Sequence, residues 1–386
     1  MALLAAAALA LTAGCSSSSG DPAGSRTSRA TGATAASPSA SPSPTVSLPP
    51  AEGSAKVVST LTTGLRSPWG LAVLPGGDLL VSSRDEGTVT RVDAKTGVTT
   101  LLGSVPGVSP SGEGGLLGLA VSATYGADHQ VYAYFTTESD NRIARMVYDE
   151  RRPAGEQLGA PDTILRGIPK GAVHNGGRIA FGPDRMLYAG TGETGDDQLA
   201  QDDDSLAGKI LRMTPDGEPV HGNPEADSVV YSPGHRNVQG LAWDGEKRLW
   251  ASEFGQDTWD ELNLVEPGGN YGWPEVEGIA PKGAGGDFID PVAQWKTAEA
   301  SPSGIAYAQG SVWMAGLRGE RLWRIPLSGS AKEPLAKPQA FLEGTYGRLR
   351  TVVAAGGDKL WVVTGNTDGR GDPKPGDDRI LLVEVE

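Results

Sequence analysis

The stretch GLAVLPGGDLLVSS, residues 70–83, places an apolar triplet, a Pro-Gly-Gly-Asp turn and a second apolar run in succession. Apolar runs this short, closed by turn-forming residues, read as the two strands of a hairpin rather than as a helix. The same order returns as GLAVSATYGADHQVYAYFT (118–136), RIAFGPDRMLYAGTG (178–192), GLAWDGEKRLWASEFG (240–255), GIAYAQGSVWMAG (304–316) and LRTVVAAGGDKLWVVTG (349–365). Successive copies begin about 45 to 65 residues apart, which suits four strands and their loops per unit. Six such sheets bury their faces by stacking around an axis, so the expected fold is all-β, a six-bladed β-propeller over residues 54–386. A β-sandwich array or a right-handed β-helix would not give repeats this long with paired strands inside each. In a propeller the inner strand ends meet over a central channel, which is where a ligand cavity belongs.

Composition narrows the chemistry. The 386 residues include 55 Gly and 28 Pro, an abundance of turn formers that excludes a helical bundle. With 33 Lys+Arg against 47 Asp+Glu the net charge is −14, which repels phosphate backbones and argues against nucleic acid as a partner. One cysteine, Cys15, and four histidines leave no intrachain disulfide and argue against a thiolate or multi-histidine metal centre. Any metal is expected to be a hard cation on carboxylates and carbonyls. Residues 1–15, MALLAAAALALTAGC, form an apolar run too short to span a bilayer and read as a signal peptide. Its Thr12-Ala13-Gly14-Cys15 ending resembles a bacterial lipoprotein cleavage box, with Cys15 as the lipidated end. Residues 16–53, rich in Ser, Ala, Pro and Thr, cannot bury enough apolar surface to fold and are expected to be a disordered spacer. The domain is therefore expected outside the cytoplasm, membrane-associated only through a lipid anchor, with plain secretion as the alternative.

Polar residues crowded into a strand-rich chain mark candidate chemistry. His174 opens HNGGR ahead of the third copy, and Glu193 ends the following strand; a histidine oriented by a carboxylate is the usual form of a general base, while a loop histidine capping a carbonyl is the plain alternative. YSPGHRNVQG sets Arg236 and Asn237 before the fourth copy, where a guanidinium suits a developing negative charge or an ordinary salt bridge. Asp257, Asp260 and Glu261 lie within five positions among glycine-rich turns, a donor set suited to Ca2+ or to plain solvation, although EF-hand spacing is missing. Arg318 in GLRGERLWR, with Arg348 and Arg350 in GRLR, suggests a site for a small polyanion or one face of a strand.

Taken together, PWGLAVLPGGDLLV, GEGGLLGLA, HNGGRIAFGPD, SLAGKILRMTPDG, YSPGHRNVQGLAWD, DELNLVEPGGNYGWP, GLRGERLWR and GRLR, in this order over residues 57–386, resemble the soluble quinoprotein sugar dehydrogenases, the glucose/sorbosone dehydrogenase family. The resemblance implies a six-bladed propeller that binds pyrroloquinoline quinone (PQQ) and Ca2+. It implies oxidation of an aldose at the anomeric carbon to the lactone, by hydride transfer to PQQ. On the matching positions it makes His174 the general base and Glu193 its orienting carboxylate, where the family more often has Asp. Arg236 polarises the receiving carbonyl, with Asn237 beside it, and Arg318, Arg348 and Arg350 hold the cofactor. Glu113 falls beside the cofactor where Gln is common, and Phe254 replaces a polar residue. The carbonyls of Gly255 and Gln256 match ligands of the calcium that carries the quinone; Asp260, Glu261 and the carbonyl of Tyr271 match a structural calcium site. The partners implied are a sugar and a separate electron acceptor, since the chain has no C-x-x-C-H haem motif. Two other readings remain: a non-catalytic propeller that binds a sugar or a protein, and a Ca2+-dependent propeller lactonase or hydrolase.

Overall fold

The computed structural model describes residues 48–283, 285–330 and 332–386. The signal peptide, the lipobox and most of the spacer, residues 1–47, lie outside the described residues. Among those described, twenty-four strands form six four-stranded antiparallel sheets. The first blade is Pro68–Val73, Leu79–Ser83, Thr88–Val92 and Thr99–Ser104, and the second is Leu116–Val121, Gln130–Thr136, Asn141–Val147 and Asp162–Ile168. The third is Ile179–Phe181, Leu187–Gly190, Ile210–Met213 and Val230–Ser232; the fourth is Val238–Trp243, Leu249–Glu253, Trp259–Val265 and Ala293–Lys296. Pro302–Ala308, Ser311–Gly316, Arg321–Pro326 and Gln339–Phe341 make the fifth. The sixth takes Leu349–Gly356, Lys359–Thr364 and Ile380–Val385 from the end of the chain and its outermost strand, Ala55–Thr62, from the beginning.

The innermost strand of each blade touches that of the next, and the sixth touches the first, so the sheets close a ring. This is the six-bladed propeller expected from the repeats. Alternation along the strands supplies the packing: Leu71 turns into the seam with the sixth blade and Ala72 into the seam with the second. Each of the six seams holds its own apolar cluster, as where Tyr132 and Leu117 of the second blade meet Ile179 and Leu187 of the third.

Around the axis, one layer of the inner strands is made by Gly70, Gly118, Arg178, Gly240, Gly304 and Thr351. A Cβ on Gly118 would collide with the Gly177 carbonyl, and one on Gly240 with that of Ser303. The glycine that heads four of the six copies is thus required by backbone-to-backbone approach at the axis.

Residues 48–53 fall within the stretch assigned by composition to the spacer, yet part of it is fastened to the fifth blade. Buried Arg324 donates through Nη2 to the Pro50 carbonyl at 2.8 Å, and Gly53 N–H donates to Gln339 Oε1 at 2.9 Å. Composition misses this because the partners are backbone groups, which any residue type offers.

Candidate active site

At one end of the axis lies a cavity of about 650 Å³. Its wall carries six guanidinium groups, of Arg84, Arg236, Arg318, Arg348, Arg350 and Arg370, against the two carboxylates of Glu113 and Asp368, together with His174, Trp69, Gln239 and Phe254. In a chain of net charge −14, this is a concentrated positive field in a concave site.

His174 opens the glycine-rich segment His174-Asn175-Gly176-Gly177 and has a left-handed φ of 51°. Its N–H donates to Glu113 Oε2 at 2.9 Å, which helps hold a backbone conformation that side chains rarely adopt. Ring nitrogen Nδ1 lies 2.8 and 2.9 Å from the two oxygens of fully buried Glu193. An ionised carboxylate only accepts, so Nδ1 carries the hydrogen and Nε2 is left with its lone pair. Glu193 is fixed in turn by the N–H of Gly195. The histidine and carboxylate noted in the sequence are therefore adjacent, and the imidazole lines the cavity.

Arg236 donates through Nη1 to the Gly255 carbonyl at 2.7 Å, its ring-side neighbour is Trp273 at 5.3 Å, and its buried Nε lies 3.9 Å from Glu193 Oε1 with no hydrogen-bond partner among the described residues. An orphaned charged donor on a cavity wall fits a ligand acceptor. Asn237 does not reach the cavity. It is wholly buried behind it, where Oδ1 accepts from Gly176 N–H at 3.0 Å and so ties the His174 turn to the fourth blade.

Arg348 and Arg350 both donate to Asp368 Oδ2 at 2.9 Å, and Arg350 also reaches Gln239 Oε1 at 2.9 Å. Burial pushes the Arg350 guanidinium down to about 10, still charged at neutral pH. Burial pushes Asp368 up, but Arg350 and Arg348 outweigh it and hold the carboxyl below its usual value. Arg318 is exposed at the rim, and among the described residues no acidic side chain pairs with it. Glu113 is balanced by Arg370, whose Nη2 lies 2.8 Å from Oε1. Sequence reasoning missed Arg84, Asp368 and Arg370. Arg84 follows the second strand of the first blade, and the other two sit in NTDGRGD, a stretch whose composition reads as a solvated turn.

Of the calcium candidates, Gly255 and Gln256 line the cavity, whereas Asp260, Glu261 and Tyr271 do not. The loop carrying the first two is wrapped on Glu277, whose Oε1 accepts N–H groups from Gln256, Asp257, Thr258 and Trp259 at 2.7 to 3.1 Å. Asp260 accepts from Gly255 and Ser301 N–H groups. Glu261 lies across from Glu253 in register and shares the Asn263 amide with it. Successive residues of one strand face opposite sides, so Asp260 and Glu261 point apart. The Tyr271 ring stacks on His235 at 4.7 Å. Among the described residues no group of three or more His, Cys, Asp or Glu side chains is arranged to hold a metal. Asn263 Oδ1, beside the two glutamates, is buried without a hydrogen-bond partner among the described residues.

Burial pushes Asp260 up to about 6 and pushes Glu261 up as well, with the Glu253 charge adding to the effect. Between pH about 4 and about 6 the folded chain therefore binds more protons at Asp260 than the unfolded chain, and stability falls as pH rises through that window. In chelator-treated protein, melting curves should show wild type losing roughly 3 kcal/mol relative to Asp260→Asn between these pH values. A flat difference would place Asp260 in a more solvated setting.

Residues 65–381 match the family model described as glucose/sorbosone dehydrogenase. The solved PQQ-bound form of aldose sugar dehydrogenase from Streptomyces coelicolor superposes with a TM-score of 0.85 at 75% identity, over 88% of this chain and 100% of that one. Aldose sugar dehydrogenase YliI of Escherichia coli is 30% identical over 65% of this chain and 72% of its own length. Quinoprotein glucose dehydrogenase B of Acinetobacter calcoaceticus is 30% identical over 56% of this chain, which spans about half (52%) of that protein. The chain belongs to the glucose/sorbosone dehydrogenase family.

Proposed function

We propose that the protein is an extracytoplasmic PQQ-dependent aldose sugar dehydrogenase that oxidises the anomeric carbon of a sugar to the lactone and passes the electrons to an external acceptor. The observation that carries this reading is the cavity with six guanidinium groups and only two carboxylates. PQQ has three carboxylates, and a cavity of about 650 Å³ with an orphaned buried Arg236 Nε suits a planar polyanion with acceptor oxygens. A propeller lactonase or hydrolase would need no such concentration of arginine.

When bound, the cofactor supplies the two-electron redox chemistry that no side chain offers. The rest falls to this chain. His174 Nε2 takes the proton of the anomeric hydroxyl, and Glu193 holds the ring and stabilises the imidazolium that results. Arg236 places positive charge where negative charge develops on the acceptor side. Arg348 and Arg350, with exposed Arg318 at the rim, hold the cofactor carboxylates. Glu113 is paired with Arg370, so it does not oppose an anionic ligand as an isolated charge. Calcium would be held near the Gly255–Gln256 loop, and a second ion beside Glu261, whose neighbours Glu253 and Asn263 Oδ1 offer hard oxygen donors. The lipidated Cys15 and the spacer account for a surface-tethered domain; among the described residues no helix is long and apolar enough to cross a membrane.

Reconstitution decides the matter. Purified protein titrated with PQQ and Ca2+ should develop the absorbance of bound quinone and then reduce a dye in the presence of an aldose. Quinone uptake without aldose-dependent reduction would favour the binding propeller, and lactone hydrolysis without quinone uptake would favour the hydrolase.

A further inference from the structure

Arg178 stands where four of the other five inner strands carry glycine, and the room those glycines leave is filled by its side chain. Nε donates to the Gln239 carbonyl at 2.7 Å, and Nη2 crosses to Thr351 Oγ1, in the sixth blade, at 3.0 Å. A Cβ on Gly304 would lie 3.3 Å from that same Nη2. The guanidinium lies 4.4 Å from the centre of the Trp69 ring, which lines the cavity, and Arg350 lies 5.8 Å from the same centre. Thr351 Oγ1 also donates to the Trp69 carbonyl at 2.7 Å. Arg178 itself faces a separate, mainly apolar space of about 380 Å³ at the other end of the axis.

No acidic side chain among the described residues pairs with this buried cation. Withdrawing an unpaired charge from water is costly, and a neutral side chain of similar length would fill the channel without that cost. A guanidinium stays protonated even so. We propose that Arg178 is a positioning residue that closes the channel and sets a fixed positive charge beneath the Trp69 floor, as a counter-charge to the anionic cofactor seated above it. The inference rests on the PQQ reading of the cavity. Acting through one aromatic ring, a buried unit charge changes the affinity for a polyanion by about tenfold or more.

The experiment compares wild type, Arg178→Lys and Arg178→Met, with Arg178→Gln replacing the last if it fails to fold. PQQ is titrated into the Ca2+-loaded proteins without sugar and followed by tryptophan quenching. The neutral variant should bind at least about tenfold more weakly, with the ratio to wild type unchanged between about 0.05 and about 0.5 M NaCl, because a buried charge escapes screening. Arg178→Lys, which keeps the charge but not the forked hydrogen bonds, should recover most of the loss. Equal affinity in the neutral variant, or equal losses in both variants, overturns the inference and leaves the PQQ reading standing. Failure of wild type to take up PQQ overturns both.

Discussion

Replacing His174 with alanine is expected to lower aldose-dependent dye reduction by about 10²–10⁴-fold, the usual share of a positioned general base. The loss should fall on kcat, with PQQ uptake within a few-fold of wild type. The imidazole is held through Nδ1 by Glu193, and the arginines proposed to hold the cofactor, Arg348 and Arg350, bond to Asp368 and not to this ring. Glu193→Gln is the companion test. An amide can turn its carbonyl toward Nδ1–H, but it no longer stabilises an imidazolium, so turnover should fall while the cavity still fills with quinone. Retained turnover in His174→Ala would remove the histidine from proton transfer.

The second large effect concerns the pair Arg348 and Arg350. Both meet one oxygen of Asp368, which is 7% exposed. Changing both arginines to methionine should weaken PQQ binding by at least about a thousandfold, because two buried charged partners are lost at once. It should also destabilise the fold by about 3–5 kcal/mol, since Asp368 becomes an uncompensated buried carboxylate. The two effects can be separated by adding Asp368→Asn, which removes the stranded charge. Thermal stability should then recover while PQQ binding stays weak. If binding recovered with stability, the arginines would serve only to neutralise Asp368.

How far the sequence could be read depended on the range of each contact. The propeller was legible because the backbone crowding at Gly70, Gly118, Gly240 and Gly304 repeats the same residue in the same place, four times, before an apolar pair. His174 and Glu193 were legible because they flank the first two strands of one blade. Arg84 and Asp368 were not, since Arg84 Nη2 meets the Asp368 carbonyl across 284 residues of chain. The adjacency of Asp260 and Glu261 suggested a shared site, whereas strand alternation sends them to opposite faces. Asn237, next to a cavity arginine, is wholly buried and does not line the cavity, because its side chain is spent on the Gly176 N–H. Glu277 gave no local signal, because its four hydrogen bonds go to backbone groups on a distant loop.

The sixth blade also brings the two ends of the propeller together, with Ser54 and Glu386 exchanging backbone hydrogen bonds at 3.2 and 3.0 Å. A loop of polypeptide sewn shut in this way has no mechanical need to begin where it does. Joined at Ser54 and Glu386 by a short linker, it could be cut afresh at an exposed hairpin of another blade, such as Pro183–Arg185 of the third. A redox partner could then be grafted at the new ends, leaving the cavity walls undisturbed.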